Sequence, residues 1–346
     1  MTTAGLRSRS VVPTAELHGA LERGLSRGRS RPPRVIEVAR RPSRYATSAT
    51  LEDVDAHLDS GEVLHLTLKD MSKQALLDGA RATKPDFLYD PRREIETYRT
   101  LLADGDLGTA ACFGAVAEEQ TGRYWLLLER VPGLELYQLG ELYWRERAAA
   151  SLARLHGRLA SRLKSMGQAM PLLLVHDRRF YALWMRRAQR FVVETDGGRR
   201  SATAIAWLAA RHDSLVERLL ELPVGPIHGE FYDSNVLVQK TASGVRVCPV
   251  DWEMAALGPG LTDLAALTSG DCSEGDRTAV ALAYRRALVP RRGWPRDEGG
   301  FLRALDCCRL QLCLQWLGWS PRWAPPPEHA RDWLGEAVAL AEKLDI

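Results

Sequence analysis

The sequence lacks patterns that identify several classes of protein. No stretch approaches about 18 consecutive apolar residues, so we expect no membrane-spanning helix and no membrane partner. No lysine follows a glycine, which excludes a phosphate-binding loop of the Walker type. The pattern H-E-x-x-H is also absent, which excludes the zinc-protease site that this pattern forms on a helix.

Cysteine is scarce, and its spacing indicates neither a zinc site nor a redox pair. The six cysteines contain no Cys-x-x-Cys pair. The first 30 residues carry no continuous apolar core followed by a small-residue cleavage site, a pattern that does not favour secretion. We therefore expect a reduced, cytoplasmic protein.

Charge is nearly balanced over the whole chain but uneven along it. The formal net charge of +3 does not favour a nucleic-acid partner. Residues 1–44 nevertheless hold ten arginines against three glutamates. A basic arm of this kind can touch acidic lipid or nucleic acid, but its composition is also that of a solvated leader. We favour the second interpretation and predict that residues 1–33 form a flexible basic arm.

The chain after the arm has the periodicity of β-strands with one helix among them. The helix is expected over residues 90–105, because Asp90 can cap it and Pro91 suits its first turn. Apolar residues alternate or cluster in five other segments, which predict strands at 34–41, 48–58, 62–70, 111–119 and 123–131. Residues 34–131 are therefore predicted to form an antiparallel sheet with one inserted helix.

From residue 132 onward the pattern is mainly helical. Amphipathic helices are predicted over 140–163, 177–194, 201–221 and much of 275–346. Two short strands and a loop interrupt these helices between residues 226 and 253. We predict an α+β fold whose second lobe, residues 132–346, is mainly helical and contains the functional loop.

Polar side chains gather where the strands interrupt the helices. Asn235 precedes the apolar run Val-Leu-Val, and Asp251 ends the following strand, so a hairpin should bring them to neighbouring ends. Amide and carboxylate oxygens are ligands that Mg²⁺ accepts. Glu230 lies earlier on the loop, within reach of a substrate hydroxyl. Phosphoryl transfer requires these parts: one carboxylate that orients the nucleophile and oxygen ligands for a metal.

The same residues carry a resemblance to a family. The chain reads H-G-E-x-x-x-x-N over 228–235, then D-W-E over 251–253, then G-P-G-L-T-D-L-A over 258–265. This order resembles the H-G-D-x-x-x-x-N, D-[WF]-[ED] and G-x-P-x-x-D-L-A motifs of the aminoglycoside phosphotransferase and choline kinase group, relatives of protein kinases. The proline falls one position early in this chain. The resemblance implies a bilobal protein-kinase-like fold with the larger, helical lobe second.

The resemblance also implies roles for residues of the second lobe. Asn235 and Asp251 become the metal ligands, and Glu230 becomes the catalytic acid that orients the acceptor hydroxyl. Asp263 and His228 become braces of the loop backbone.

In the first lobe the resemblance implies an ATP site. Lys69 would pair with phosphate and be held by Glu94, with Glu96 as a competing partner on a different helix face. Ser43, in the 40–49 turn, would donate to the phosphates. The backbone of Glu129 and Val131 would contact adenine. The implied cofactors are ATP and Mg²⁺.

Two function classes follow. The first is an ATP-dependent kinase that transfers the γ-phosphate to a hydroxyl of a metabolite or antibiotic. The second is a non-catalytic nucleotide- or ligand-binding relative, because Glu230 stands where the family has aspartate.

The acceptor remains open at this level. Acids at 269–276 fit a cationic acceptor, whereas the many arginines over 161–221 do not. The tryptophans in the tail would suit an apolar or aromatic acceptor, although tryptophans are more often core residues. Two further polar residues are expected to have no catalytic role: His156 should be packed on an apolar helix, and Asp233 should be solvated on the loop.

Overall fold

The computed structural model forms two compact units. Unit 1 comprises Met1–Ala82 and Tyr89–Pro132, and unit 2 comprises Thr83–Leu88 and Gly133–Ile346. The structure describes residues 12–26, 30–45, 48–103, 107–166, 172–196, 198–242, 244–269, 272–288, 294–295, 297–322 and 331–346. Within these ranges, none of the helices combines the length and the apolar character that crossing a bilayer requires.

Unit 1 is built on a five-stranded antiparallel sheet with the order β1-β2-β3-β5-β4. Its strands are β1 (Val35–Pro42), β2 (Thr50–Leu58), β3 (Val63–Asp70), β4 (Cys112–Glu118) and β5 (Arg123–Glu129). The hairpin between β4 and β5 turns at Gly122, whose φ of +65° is a conformation that glycine adopts without a steric penalty. The five strands predicted for this part of the chain are confirmed.

Three helices accompany this sheet along the chain: α1 (Thr14–Ser26), α2 (Asp78–Thr83) and α3 (Pro91–Arg99). The predicted start of α3 is confirmed, because the Asp90 side chain accepts a hydrogen bond from the backbone N–H of Arg92 and Pro91 occupies the first turn. The helix ends at Arg99, earlier than the predicted range of 90–105. Residues 104 and 105 of that range lie outside the described residues.

Helix α1 corrects the expectation of a flexible arm over residues 1–33. Leu17, Leu21 and Leu25 lie four residues apart on one helical face and are buried against the sheet. Glu16 forms an ion pair with Arg123 and accepts a hydrogen bond from the indole of Trp125 at 3.0 Å. The described part of the arm is therefore a structural helix. Residues 1–11 and 27–29 lie outside the described residues.

Shortening Leu21 to alanine is expected to lower the free energy of unfolding by about 2–5 kcal/mol, because the buried methyl groups leave a cavity beneath the sheet. Arg23→Ala, on the exposed side of the same helix, is the matched control and should change stability by about 0.5 kcal/mol or less. Urea unfolding measures both. A change below about 1 kcal/mol for Leu21→Ala would show that α1 is dispensable to the core of unit 1.

Unit 2 is mainly helical and has its own core. Its helices are α4 (Leu136–Leu139), α5 (Leu142–Ser165), α6 (Arg178–Asp196), α7 (Arg199–Ala209), α8 (His212–Leu220), α9 (Leu261–Leu267), α10 (Glu274–Ala287), α11 (Glu298–Leu317) and α12 (Trp333–Leu344). Helix α11 is the centre of this core, since nearly all its residues from Ala304 to Gln315 are buried. It packs against α6, α8, α9 and α12.

Two small sheets interrupt these helices. Their strands are β6 (Leu134–Glu135), β7 (Leu174–Val175), β8 (Val224–Ile227), β9 (Val236–Thr241), β10 (Gly244–Pro249) and β11 (Ala256–Pro259). One sheet has the order β10-β9-β6 and the other β7-β11-β8. The predicted hairpin is confirmed: β9 and β10 are antiparallel, with Val236 opposite Pro249.

Candidate active site

Unit 1 contributes a buried ion pair. Lys69 lies near the end of β3, and Glu94 lies in the first turn of α3. Lys69 Nζ is 2.5 Å from Glu94 Oε2, and the two residues are only 8% and 1% exposed. Burial makes each charge dependent on the other. Glu96 is directed elsewhere and accepts from Arg99 at 2.9 Å, so the structure pairs Lys69 with Glu94 and not with the competing glutamate.

The sheet face that carries Lys69 also carries a charged network that sequence reasoning missed. Asp55 lies opposite His65 in the β2–β3 ladder, and alternation places both on the Lys69 face. His65 Nδ1 lies 2.6 Å from Asp55 Oδ1, which also accepts from Arg130 at 2.9 Å, while Arg41 pairs with Oδ2. Burial raises the pKa of Asp55, but these hydrogen bonds and arginine charges outweigh burial and hold it at about 2. The carboxylate therefore stays ionised near neutral pH. The acids of the Glu-Asp-Val-Asp stretch, residues 52–55, alternate along the strand, and this pattern could have indicated the charged network.

The other predicted nucleotide contacts lie at the β1–β2 turn and at the end of β5. Ser43 is buried, its backbone N–H donates to Leu51 O at 2.9 Å, and its hydroxyl is 3.4 Å from Tyr45 N. Glu129 is the last residue of β5, and its carboxylate accepts from Ala111 N at 3.1 Å. Val131 follows the strand and is buried. Residues 46 and 47 of the predicted 40–49 turn lie outside the described residues.

Unit 2 contributes the loop that contains Glu230. Strand β8 ends at Ile227, and the chain turns at Gly229, whose φ is +89°. A Cβ at Gly229 would collide with the backbone carbonyl of Met254, so the position requires glycine. Tyr232 N donates to Glu230 O at 2.8 Å, and Asn235 N donates to Tyr232 O at 2.9 Å. The loop is thus closed by its own backbone.

Asp263, in the first turn of α9, holds the start of this loop. Its two carboxylate oxygens accept the backbone N–H groups of His228 at 2.7 Å and Gly229 at 2.8 Å. His156 Nε2 lies 2.9 Å from Asp263 Oδ2, and His156 Nδ1 lies 2.8 Å from Tyr284 Oη. Burial raises the pKa of Asp263, but the His156 hydrogen bond and the charges of His156 and His228 lower it below its usual range. Asp263 therefore braces the loop, and His156 is packed in the core as predicted.

Asn235 and Asp251 both lie at the open end of the β9–β10 hairpin. The ladder continues past β9, because Val250 N donates to Asn235 O at 2.9 Å. Asn235 Nδ2 donates to Glu230 O at 2.9 Å, an arrangement that leaves the amide oxygen to act as an acceptor or ligand. Asp251 has a φ of +65°, a left-handed conformation that is uncommon outside glycine and is concentrated at functional sites.

The chemistry of Asn235 and Asp251 fits Mg²⁺. Both residues offer oxygen donors, which would hold Mg²⁺ together with water and phosphate oxygens. Among the described residues, no group of three or more His, Cys, Asp and Glu side chains could hold a metal ion. The candidate donor set is one amide oxygen and one carboxylate.

Glu230 is half-buried beside an aromatic side chain of the same loop. Burial, followed by the negative charge of Glu230, raises the pKa of Tyr232 well above its ordinary value. The negative charge of the Glu230 carboxylate therefore disfavours ionisation of the Tyr232 hydroxyl. The Tyr232 ring lies 5.5 Å from the ring of Trp316, which stacks on Trp333 at 5.8 Å. An aromatic side chain of α11 thus packs against the loop, and one of α12 packs against it in turn.

The expectation that Asp233 is solvated is wrong. Its side chain is 12% exposed, and Oδ2 accepts from Nε of Arg145, on α5, at 2.9 Å. Burial raises the pKa of Asp233, although the charge and the hydrogen bond of Arg145 oppose that shift. Helix α5 therefore contacts the loop directly through Arg145, and it supports the loop indirectly through His156, which is bonded to Asp263. No local pattern in the sequence reveals the Arg145 partner.

Glu274, one of the acids expected to attract a cationic acceptor, is engaged elsewhere. Glu274 is 2.5 Å from Arg277 and 3.1 Å from Lys343, and these cations lower its pKa against the effect of burial. Asp276 contributes its backbone N–H to the Ser273 cap of α10. Residues 270 and 271 of the 269–276 segment lie outside the described residues.

Comparisons with known proteins agree with this architecture. The sequence model of a family described as "Phosphotransferase enzyme family" matches residues 82–299. No curated protein sequence matches the chain.

Solved kinase structures share the fold at low sequence identity. The choline kinase of Cryptosporidium parvum Iowa II is 13% identical, with 96% of this chain and 94% of that chain covered and a TM-score of 0.58. Wild-type aminoglycoside 2'-phosphotransferase-IIIa in its GDP complex is 14% identical, with coverage of 89% and 92% and a TM-score of 0.53. A microcompartment-associated aminopropanol kinase is 16% identical, with coverage of 88% and 90% and a TM-score of 0.53.

These structures show the fold, and the family match extends over more than half of the chain. The predicted α+β, protein-kinase-like architecture is confirmed, with an antiparallel sheet in the first part and helices in the second. The chain belongs to the phosphotransferase enzyme family.

Proposed function

We propose that this protein is an ATP-dependent kinase that transfers the γ-phosphate to a hydroxyl group of a small molecule, a metabolite or an antibiotic. The observation that carries the proposal is the end of the β9–β10 hairpin. There Asn235 and Asp251 are neighbours, and the Asn235 nitrogen is occupied by Glu230 O, so that its oxygen is left as a ligand. Family membership supports the reaction class.

In this proposal the metal ligands and the nucleotide contacts have separate roles. Asn235 and Asp251 hold Mg²⁺, which neutralises charge on the phosphate oxygens when it is bound. Lys69 pairs with a phosphate oxygen and is kept in position by Glu94. Ser43 and the backbone of Glu129 and Val131 remain the proposed contacts for phosphate and adenine.

Glu230 orients the acceptor and receives its proton. The acceptor oxygen forms a bond to the γ-phosphorus while the bond from that phosphorus to the bridging oxygen breaks, which releases ADP. The hydroxyl proton passes to the Glu230 carboxylate. Phosphoryl transfer depends mainly on positioning, so a glutamate on a loop held at both ends can serve where relatives use aspartate.

Charge and aromaticity around the loop support a proposal for the acceptor class. Asp233 is paired with Arg145, and Glu274 is paired with Arg277 and Lys343. These pairs leave less negative charge for a polycationic acceptor than the composition indicated. The ring contact between Tyr232 and Trp316 favours a neutral, apolar or aromatic compound that carries a hydroxyl group.

A second candidate is a nucleotide-binding relative that does not turn over. The glutamate at position 230 favours it, because the longer side chain moves the carboxylate by about 1 Å relative to aspartate, and such a displacement can cost about 100-fold in rate.

The two candidates are separated by a metal-dependence experiment followed by an acceptor screen. Chelation of divalent cations is expected to weaken ATP binding at least tenfold in calorimetry, because two ligands and the phosphates share the metal. A library of hydroxylated metabolites and antibiotics is then assayed for ADP release with Mg²⁺ present. Release with at least one compound supports the kinase. Metal-dependent binding without release from any compound supports the second candidate, and metal-independent binding contradicts the metal assignment.

A further inference from the structure

A short connecting segment belongs to unit 2 although the chain on both sides of it belongs to unit 1. Residues 84–90 connect α2 with α3, and Thr83–Leu88 belongs to unit 2. Leu88 is buried in the unit 2 core, and the Phe87 ring meets the edge of Trp184 at 5.3 Å. The Arg187 guanidinium lies over Phe87 at 5.4 Å. The segment is therefore anchored at its C-terminal end.

Its N-terminal end carries a nearly buried lysine. Lys84 Nζ lies 2.5 Å from Glu253 Oε2, with the two side chains 10% and 21% exposed. A lysine with so little water around it requires a partner for its charge. Glu253 also makes an interaction beyond this pair, but the ammonium of Lys84 is in direct contact with its carboxylate.

Glu253 lies two residues after the proposed metal ligand Asp251. Trp252, between them, is buried, with its indole N–H donating to Pro249 O at 3.3 Å and its ring 4.6 Å from His228. Ala255 N donates to Trp252 O at 3.0 Å and closes a turn. Asp251, whose backbone is in the left-handed conformation, is therefore followed by a segment with two attachments. The buried side chain of Trp252 is one, and the ion pair between Glu253 and Lys84 is the other.

We propose that Lys84 is a positioning residue for the metal ligand. It acts through Glu253: the ion pair fixes the turn that follows Asp251 and so holds the Asp251 backbone in its left-handed conformation. The inference rests on the proposed function, since it takes Asp251 as a ligand of Mg²⁺. Mg²⁺ demands near-ideal octahedral geometry, so small losses of order at a ligand affect it strongly.

The test uses a double-mutant cycle on this pair. Lys84→Met and Glu253→Gln each break the ion pair and keep the side-chain shape, and each is expected to lower kcat about 10- to 100-fold. The double variant should lose no more than either single variant, because both remove the same contact. Lys84→Arg preserves the pairing and should stay within about threefold of wild type. Lys73→Met, at an exposed lysine, is the matched control and should behave as wild type.

Two readouts do not depend on activity. Hydrogen exchange of the Ala255 amide in the metal-free protein is expected to accelerate at least tenfold in both single variants and in the double variant. The double variant has the net charge of wild type, so its net charge does not alter the attraction for the cation. Mn²⁺ titration with a non-hydrolysable ATP analogue therefore reports the geometry of the metal ligands. The Kd for Mn²⁺ is expected to rise about tenfold. If Lys84→Met does not fold, the neutral double variant carries the test.

The outcomes separate this inference from the function on which it rests. If the double variant exchanges and binds Mn²⁺ as wild type does, or if the two single effects on kcat multiply, Lys84 is not a positioning residue. Asp251→Asn is measured beside it. If Asp251→Asn loses Mn²⁺ while the double variant keeps it, only the role of Lys84 is overturned. If Asp251→Asn itself binds Mn²⁺ as wild type does, the metal assignment of the proposed function fails.

Discussion

Replacing Asp251 is expected to lower phosphoryl transfer on the order of 1,000-fold or more while the protein stays folded. Its carboxylate is one of two proposed protein ligands, and it supplies the negative charge of the pair. Losing it removes both a ligand and the attraction that holds the cation against the phosphate oxygens. ATP should then bind equally with and without Mg²⁺.

The choice of variant matters because Asp251 has a φ of +65°. Alanine in a left-handed conformation costs about 1–2 kcal/mol, so Asp251→Ala mixes a backbone penalty with the lost ligand. Asparagine tolerates this conformation better than most residues, so Asp251→Asn removes the charge with less strain. Asp251→Asn is therefore compared with wild type in kcat, in metal-dependent ATP binding and in thermal unfolding. Activity within tenfold of wild type at equal stability would contradict the metal assignment.

Local patterns in the sequence were sufficient to predict the hairpin that carries this ligand. An apolar strand after Asn235, a turn near Gly244 and a second strand before Asp251 leave little freedom in register. The two side chains therefore reach the same end of the hairpin. Glu94 was likewise favoured over Glu96 by the resemblance, and their different helix faces in the structure agree with it.

Helix α1 was missed for a different reason. Ten arginines in the first 44 residues indicated a solvated arm, but composition carries no information on the spacing of apolar residues. Leu17, Leu21 and Leu25 form a continuous apolar stripe of a kind that could have been read from the sequence. The stripe stabilises a helix because a sheet face is available to cover it, and that face lies later in the chain.

Partners distant in sequence could not be predicted at all. Asp233 was expected to be solvated because its loop is polar, and its partner Arg145 lies on a helix that begins far earlier. The pairing of Lys84 with Glu253 spans an even longer stretch of chain. Neither pair has a local signature, because ion pairs of this kind are selected by tertiary packing and not by periodicity or spacing. The sequence motifs predicted the contacts of Glu94 and Asp263, whereas nothing in the sequence predicted those of Arg145 and Lys84.

Removing the charge of Glu230 is expected to lower kcat about 100- to 10,000-fold, in the range of a lost general base. Glu230→Gln preserves the shape of the side chain, and the hydrogen bonds to the Glu230 backbone from Tyr232 and Asn235 are unaffected. The loop should therefore keep its form, and the affinity for ATP should change by less than about threefold. Steady-state kinetics with the acceptor from the screen gives kcat, and calorimetry gives the Kd for ATP. A kcat equal to wild type would show that Glu230 does not act on the acceptor.

Shortening Glu230 to aspartate is the sharper experiment, because it reinstates the residue of the family motif. Asp263 fixes the backbone at His228 and Gly229, and the Asn235 amide fixes Glu230 O, so the loop cannot follow a shorter side chain toward the acceptor. The carboxylate should withdraw by about 1 Å and kcat should fall about 100-fold. The KM for ATP should remain within about threefold, since Lys69, Glu94 and Asp251 are untouched. If Glu230→Asp instead raises kcat tenfold or more, the wild-type loop is displaced from its working geometry. The protein is then an impaired kinase, and the nucleotide-binding role becomes the better account of it.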